Sequence, residues 1–500
     1  MNDNRRFPNF LAIAIIVALS AGLFATLNGC SGGDSMIGNV VKVFSEDGAP
    51  LTAEGSRELG RFNAVFTEYS KEPTDKRQLE HFEESYRRVL TGYVRPVNGV
   101  ALIDYAIKGV EELKAKPKSV EAPKLVEAAL DSMLGSLDPH SSYLNPDEFR
   151  ELQTSTRGEF GGLGIEVTME NGLVKVVSPI EGTPAERAGL QPGDLITHVD
   201  GQPLKDKTLM NAVKRLRGAP DSAVTLTIKR QKKKPFDVNI QRAIIHVRAV
   251  RWRTEGDIGY VRLARFTETA TADLALAVKK IRLQLGDKLK GYVLDLRNNA
   301  GGLLDQSLSI SDALLEKGVI VSVRGRERNR GQIFHAEAGD ITFGKPVVVL
   351  INGGSASAAE IVAGALQENG RAVLMGERSF GKGSVQTITP LQLEGALKLT
   401  TQLYYSPKGH AIQARGVAPD IALVAEKKPD DETKRSREAD LPGHLETADA
   451  DEMRSRMILK EKNCPEVGKA KDRPLGCALE YLRAGSTDRF LALVKSKSSS

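Results

Sequence analysis

Ser357 lies in the run Gly354–Gln367, rich in small residues, and Lys382 lies twenty-five positions later in the glycine-flanked run Phe380–Gln386. A serine hydroxyl becomes a nucleophile when a base takes its proton, and a lysine is such a base once burial disfavours its charge. Lys382 is the only charged residue between Ser379 and Leu393. Burial of that stretch would keep its amine neutral and able to accept the serine proton. Gln386, four residues on, falls on the same side as Lys382 in a helix or a strand, where its amide can orient the amine. Ser357 also begins a predicted helix, whose free N–H groups favour negative charge. An oxyanion formed at Ser357 would meet the N–H of Ala358, with Gly302 on a neighbouring turn as second donor.

Plainer readings compete. Ser357 with Glu360 three residues later is a capping box. Gly376–Lys382 matches the first seven positions of a P-loop, but Gly383 stands where that loop needs Ser or Thr for magnesium. No G-x-S-x-G elbow and no H-E-x-x-H helix occur, and the seven His are scattered. Neither a metal nor a cofactor is expected.

The elements around these residues sort into segments. Residues 34–61 read as a linker, and 62–157 as helical, with apolar residues such as Phe82, Tyr86, Val89 and Leu90 at helical spacing. That segment ends in the turn-rich Ser136–Leu144. Residues 158–242 read as short strands with one helix. From 243 to 425 strands alternate with helices, the pattern of an α/β domain. In such sheets ligands gather at the carboxyl ends of strands, where the turns after Tyr292–Leu296 and Val347–Ile351 would meet. Residues 426–456 are charged and read as a linker, and 457–500 as a closing helical segment.

Five hundred residues are too many for one core. With 41% hydrophobic and 27% charged residues, most of the chain can fold. A net charge of +6 is too mild for a dedicated nucleic-acid binder. Three Cys cannot staple a fold of this length. Residues 1–33 read as an export signal or membrane anchor: Arg5 and Arg6 precede the uncharged run Phe10–Leu27. Leu27–Cys30 looks like a bacterial lipoprotein cleavage site, with Cys30 as the lipidated residue. Whether this end is cleaved, lipidated or retained is open, but each version places the rest outside the cytoplasm. Cys464 and Cys477 are close enough in sequence to pair there.

Gly161-Gly162-Leu163-Gly164-Ile165, followed by Pro184–Ile196 and a helix ending at Leu216-Arg217-Gly218, resembles a PDZ domain. The resemblance implies that Gly162, Leu163, Gly164 and Ile165 bind a peptide's terminal carboxylate, and that the peptide adds as a strand beside the next one. Gly354–Gln367, Phe380–Gln386 and Asp295–Gly302 resemble the active-site segments of the carboxyl-terminal processing, or tail-specific, proteases. Ser136–Leu144 and Leu403–Pro407 fit the same family in the same order, so the likeness covers about residues 75–425. By that likeness Ser357 is the nucleophile, Lys382 the base and Gln386 its positioner, and the spacing of the first two agrees with the family's pattern. The family commonly carries Ser where this chain has Ala359.

The resemblance implies an α/β fold: a crotonase-like peptidase core, an inserted PDZ-type β-rich domain and a helical N-terminal segment used for homo-oligomerisation. It implies a serine endopeptidase acting on extracytoplasmic proteins with free apolar C-terminal tails. The N-terminal run makes the expected place periplasmic or extracytoplasmic, attached to the inner membrane by an anchor or a lipid. Gating by PDZ movement or by an activating or adaptor protein is open. The competing expectation is a catalytically inactive PDZ adaptor that binds tails without cutting them.

Overall fold

The computed structural model describes residues 51–498 except 181, 206–208, 231–232, 247, 328–330, 426–436 and 448–454. The run Phe10–Leu27 and Cys30 lie outside the described residues, as does most of the charged stretch 426–456.

Helix α1 (Ala53–Tyr69) begins inside the stretch expected to be linker. The Thr52 hydroxyl caps it by accepting the Gly55 N–H at 3.1 Å, and Leu59, Phe62 and Phe66 are buried at helical spacing. A capped helix with an apolar stripe thus replaces the last third of the expected linker. Helices α2 (Lys76–Gly92), α3 (Gly99–Glu111) and α4 (Ala122–Gly135) close around that stripe. The rings of Phe62 and Phe82 stack at 3.6 Å between centroids. A short strand, β1 (Ser142–Leu144), and helix α5 (Pro146–Arg157) complete the segment, with Gly158 in the left-handed conformation as its stop.

The next module holds strands β2 (Glu159–Gly162), β3 (Ile165–Glu170) and β4 (Leu173–Pro179), then a single helical turn α6 (Pro184–Arg187) and strands β5 (Leu195–Val199) and β6 (Gln202–Pro203). Helix α7 (Leu209–Leu216) and strands β7 (Ala223–Lys229), β8 (Phe236–Gln241) and β9 (Ala243–His246) follow. One antiparallel sheet runs β3-β4-β5-β7-β8 with β6 beside β5, while β2 pairs with β9 and ties the two ends of the module together. Val174, Ile196, Leu226 and Ile228 form its core with Leu163 and Ala212.

The α/β part comprises β10 (Val250–Glu255), β11 (Ile258–Leu263), α8 (Ala270–Leu285), β12 (Gly291–Asp295), α9 (Leu304–Asp312), β13 (Gly318–Gly325) and β14 (Gln332–Ala336). It continues with β15 (Val347–Ile351), α10 (Ala358–Glu368), β16 (Ala372–Gly376), β17 (Ser384–Pro390), β18 (Ala396–Tyr405) and β19 (Ile421–Val424), and then β20 (Met457–Lys460). The main sheet has the order β10-β11-β12-β15-β16-β19-β20 and is parallel from β11 onward. Every residue of β12 and β15 is buried, as parallel strands covered on both faces require. A second sheet runs β1-β18-β13-β14 with β17 along β18, so strand β1 joins the helical segment to the strand pair behind Lys382.

The chain ends in two helices, α11 (Arg473–Ala484) and α12 (Thr487–Ser498), where one was expected; Gly485, with positive φ, breaks the run. Both pack on the face of the main sheet opposite α10, and a disulfide joins Cys464 to Cys477. Within the expected linker 426–456, residues 437–447 are docked: Glu438 is fully buried and Leu445 joins the helical core. Half-buried His140 and buried Gln413 both bond the Glu438 carboxylate.

Candidate active site

Ser357 sits at the junction from β15 to α10 with φ 55° and ψ −116°, a conformation that costs a non-glycine residue about 1–3 kcal/mol. Its neighbours impose it. The Ser355 hydroxyl donates to the Leu296 carbonyl at 2.8 Å and accepts the Asn352 N–H at 3.0 Å, while the Ala356 N–H donates to the Asn299 carbonyl at 2.9 Å. These bonds lace the turn after β15 to the turn after β12.

The β12 turn, Arg297–Gly302, presses directly on the serine. Gly301 has φ 100° and Gly302 φ 147°, and a Cβ on Gly301 would stand 2.9 Å from Ser357 Cβ and 3.1 Å from the Ala358 nitrogen. Only glycine fits this approach. Buried Asn299 fixes the turn from inside, accepting the Gly301 N–H at 2.9 Å and donating to the Leu263 carbonyl at 2.8 Å. The N–H groups of Gly302 and Ala358, the two expected oxyanion donors, have no acceptor among the described residues. Arg297 anchors the start of the turn, bonding Asp295 at 2.6 Å and Asp472, the N-cap of α11, at 2.8 Å.

Glu360 does more than cap. Its side chain is wholly buried and accepts from four donors: the Ser357 N–H at 2.8 Å, the Lys382 N–H at 2.9 Å, the Gly381 N–H at 2.7 Å and the Ser379 hydroxyl at 2.5 Å. Burial pushes this carboxyl up to about 7, against the four donors that favour its charge. One side chain thereby holds the serine turn and the lysine loop together.

The Lys382 amine donates to the Ser384 carbonyl at 3.2 Å and to Gln386 Oε1. Among the described residues no hydrogen bond joins it to the Ser357 hydroxyl; the two residues meet through Glu360. Burial lowers the amine to about 8; Glu438 opposes that shift and Lys398 adds to it. The expectation of a depressed lysine therefore has a physical cause in this pocket.

Several side chains around the lysine escaped sequence reasoning. Gln386 Nε2 donates to Ser384 Oγ at 2.9 Å and to Thr400 Oγ1 at 3.1 Å, and Thr400 Oγ1 donates to Asp138 Oδ1 at 3.0 Å. Glu438 accepts from His140 Nε2 at 2.8 Å and Gln413 Nε2 at 2.7 Å, and Gln413 Oε1 accepts the Gly383 N–H at 2.9 Å. Asp138 and His140 belong to the Ser136–Leu144 run, which sequence had marked without giving it a role. Glu438 carried no signal at all within its charged stretch.

At the other candidate site, Gly164 has φ 79°, and a Cβ there would lie 2.3 Å from Thr183 Cβ. The Gly164 carbonyl accepts from Ile180 N–H at 2.8 Å and from the Thr183 hydroxyl at 3.1 Å, and Leu163 buries its side chain in the module's core. The N–H groups of Leu163 and Gly164 have no acceptor among the described residues. Gly162 ends β2, and Ile165 starts β3, which among the described residues pairs with β4 alone and has no partner on its other edge. Such a nest beside an open strand suits a carboxylate and an added strand.

Residues 257–423 match peptidase family S41, and residues 175–230 match a PDZ domain. The chain is 57% identical over 302 residues to the carboxy-terminal-processing protease of Bartonella bacilliformis, a match spanning 60% of this chain and 70% of that protein. It is 37% identical over 316 residues to a probable CtpA-like serine protease of Staphylococcus aureus (strain COL), spanning 62% of each. Among solved structures, the photosystem II D1 C-terminal processing protease is 31% identical, covering 69% of this chain and 92% of its own, with a TM-score of 0.44.

Proposed function

This chain belongs to the carboxy-terminal-processing serine proteases of peptidase family S41, and from that premise we propose that it cuts with a Ser357–Lys382 dyad. The neutral Lys382 amine takes the Ser357 proton as Oγ attacks the scissile carbonyl carbon. The N–H groups of Ala358 and Gly302 receive the charge that develops on the carbonyl oxygen. The resulting ammonium returns its proton to the leaving amine, which departs, and the Lys382 amine, neutral again, then activates the water that hydrolyses the acyl-serine. Gln386 holds the amine in place. The observation that carries the reading is the half-buried Lys382 amine, held by Gln386 and the Ser384 carbonyl, whose loop shares one carboxylate with the serine turn. Hydrogen bonds of this kind are often long or unmade without substrate and tighten when it binds.

The substrates, on this reading, are proteins whose free apolar C-termini add to β3 with their carboxylate on the Leu163 and Gly164 N–H groups. An extracytoplasmic location, membrane attachment through the N-terminus and self-association through the helical segment belong to the same proposal. The Cys464–Cys477 disulfide supports the location, since such bonds persist in oxidising compartments.

The test is incubation of the purified chain with an unfolded protein ending in an apolar tail, beside Ser357→Ala and Lys382→Ala. Cleavage by the parent and none by either variant is the expected result. Cleavage by Ser357→Ala would remove the nucleophile assignment, and tail binding without cleavage in the parent would favour the adaptor.

A further inference from the structure

We propose that Thr400 and Asp138 are positioning residues for the lysine base, acting through Gln386, so that the helical N-terminal segment sets the orientation of the reacting amine. The inference rests on the assignment of Lys382 as base and extends it to two residues outside the three motifs.

Asp138 is buried and accepts from the His140 N–H at 2.8 Å, the Ser141 N–H at 3.1 Å, the Ser141 hydroxyl at 2.6 Å and the Thr400 hydroxyl at 3.0 Å. A site filled by four donors suits a carboxylate, which only accepts. The proton of Thr400 Oγ1 is therefore committed to Asp138. Toward Gln386 the same oxygen can only accept, and it does so from Nε2 at 3.1 Å. With its NH₂ fixed on Thr400 and on Ser384 Oγ, the Gln386 amide must turn Oε1 to the lysine. An amide held the other way round would offer the amine donors where an acceptor is needed.

The consequence falls on the lone pair. A neutral amine has two N–H bonds and one lone pair. Its two acceptors here, Gln386 Oε1 and the Ser384 carbonyl, take both N–H bonds and leave the lone pair free for the serine proton. Thr400 lies on β18 with no exposed surface, and the neighbouring strand β1 holds Asp138's turn against it, the Thr400 N–H donating to Ser141 Oγ at 3.1 Å. The Ser136–Leu144 run thus gains a function: it sets the polarity of a relay ending at the base.

Steady-state cleavage of a fluorogenic tail peptide by the full chain tests this. Thr400→Val, which removes only the hydroxyl, is expected to lower kcat about tenfold, the scale of one hydrogen bond, with KM unchanged and with Thr400→Ser restoring the rate. In a Gln386→Ala background Thr400→Val should cost nothing further, because both act through one amide. If Thr400→Val misfolds, Asp138→Asn serves in its place, with the same loss in the parent and the same silence beside Gln386→Ala. Parent-like kcat in the single variant, or an equal loss in both backgrounds, overturns the relay. Lys382→Ala is run in parallel: if it still cuts, the base assignment fails, whereas an inactive Lys382→Ala beside an unaffected Thr400→Val removes the relay alone.

Discussion

Ser357 and Lys382 donate their backbone N–H groups to the same oxygen, Oε2 of Glu360, at 2.8 and 2.9 Å. Their separation is therefore fixed by one carboxylate rather than by contact between their own side chains. Position sets rate steeply in such a site, because misplacement by about 1 Å can cost roughly a hundredfold.

Replacing that carboxylate should disable the enzyme without removing either reacting group. Glu360→Gln points an NH₂ at backbone donors and leaves a buried amide unpaired, costing about 1–3 kcal/mol. We expect kcat/KM to fall about a hundredfold, and thermal unfolding to show a lowered but cooperative transition. Parent-like turnover would mean that the chain positions the two loops without Glu360.

The pH dependence follows from the amine. Only neutral Lys382 accepts a proton, so kcat/KM should rise with pH through an acid limb centred near about 8. The positive charge of Lys398 helps hold that value down. Lys398→Met removes it, raises the Lys382 pKa and should move the limb to higher pH. A limb that stays in place or moves down contradicts the electrostatic assignment.

Gly301→Ala would bring a Cβ to 2.9 Å from Ser357 Cβ at a backbone φ of 100°. Loss of most activity is expected while tail-peptide affinity, measured by fluorescence anisotropy, stays unchanged, since the proposed grip lies on β3. Weakened binding alongside lost turnover would show that the two sites are not separable.

At the far end of the β12 turn, Asp472 ties Arg297 to helix α11. Asp472→Ala leaves a largely buried guanidinium with half its partners, at a cost of about 1–3 kcal/mol. The urea midpoint should fall, and kcat should fall with it because the turn carrying Gly302 loosens. An unchanged kcat in the folded variant would confine the C-terminal helices to stability.

What the sequence disclosed was local. Ser357, Lys382 and Gln386 stand out because glycines, a helix start and an uncharged run occur within a few residues of each. Glu360 was visible only as a helix cap, since its other donors, Ser379 to Lys382, approach from a separate loop. Thr400 and Asp138 lie 262 positions apart, and Glu438 and His140 lie 298 apart. No periodicity records such meetings. The stretch around Glu438 is charged enough to read as linker, and its docking depends on partners that only the folded chain assembles. Residues 53–61 read as linker for the opposite reason: a short amphipathic stretch with few large apolar residues looks polar until its stripe meets the other helices.

The most direct measurement is the rate at which a fluorophosphonate labels Ser357 as pH is varied, followed by intact mass. With an unprotonated amine drawing off the hydroxyl's proton, labelling in the parent should climb around pH 8 and collapse in Lys382→Ala at every pH. Equal labelling of parent and Lys382→Ala would contradict the account, because the hydroxyl would then be activated by something else.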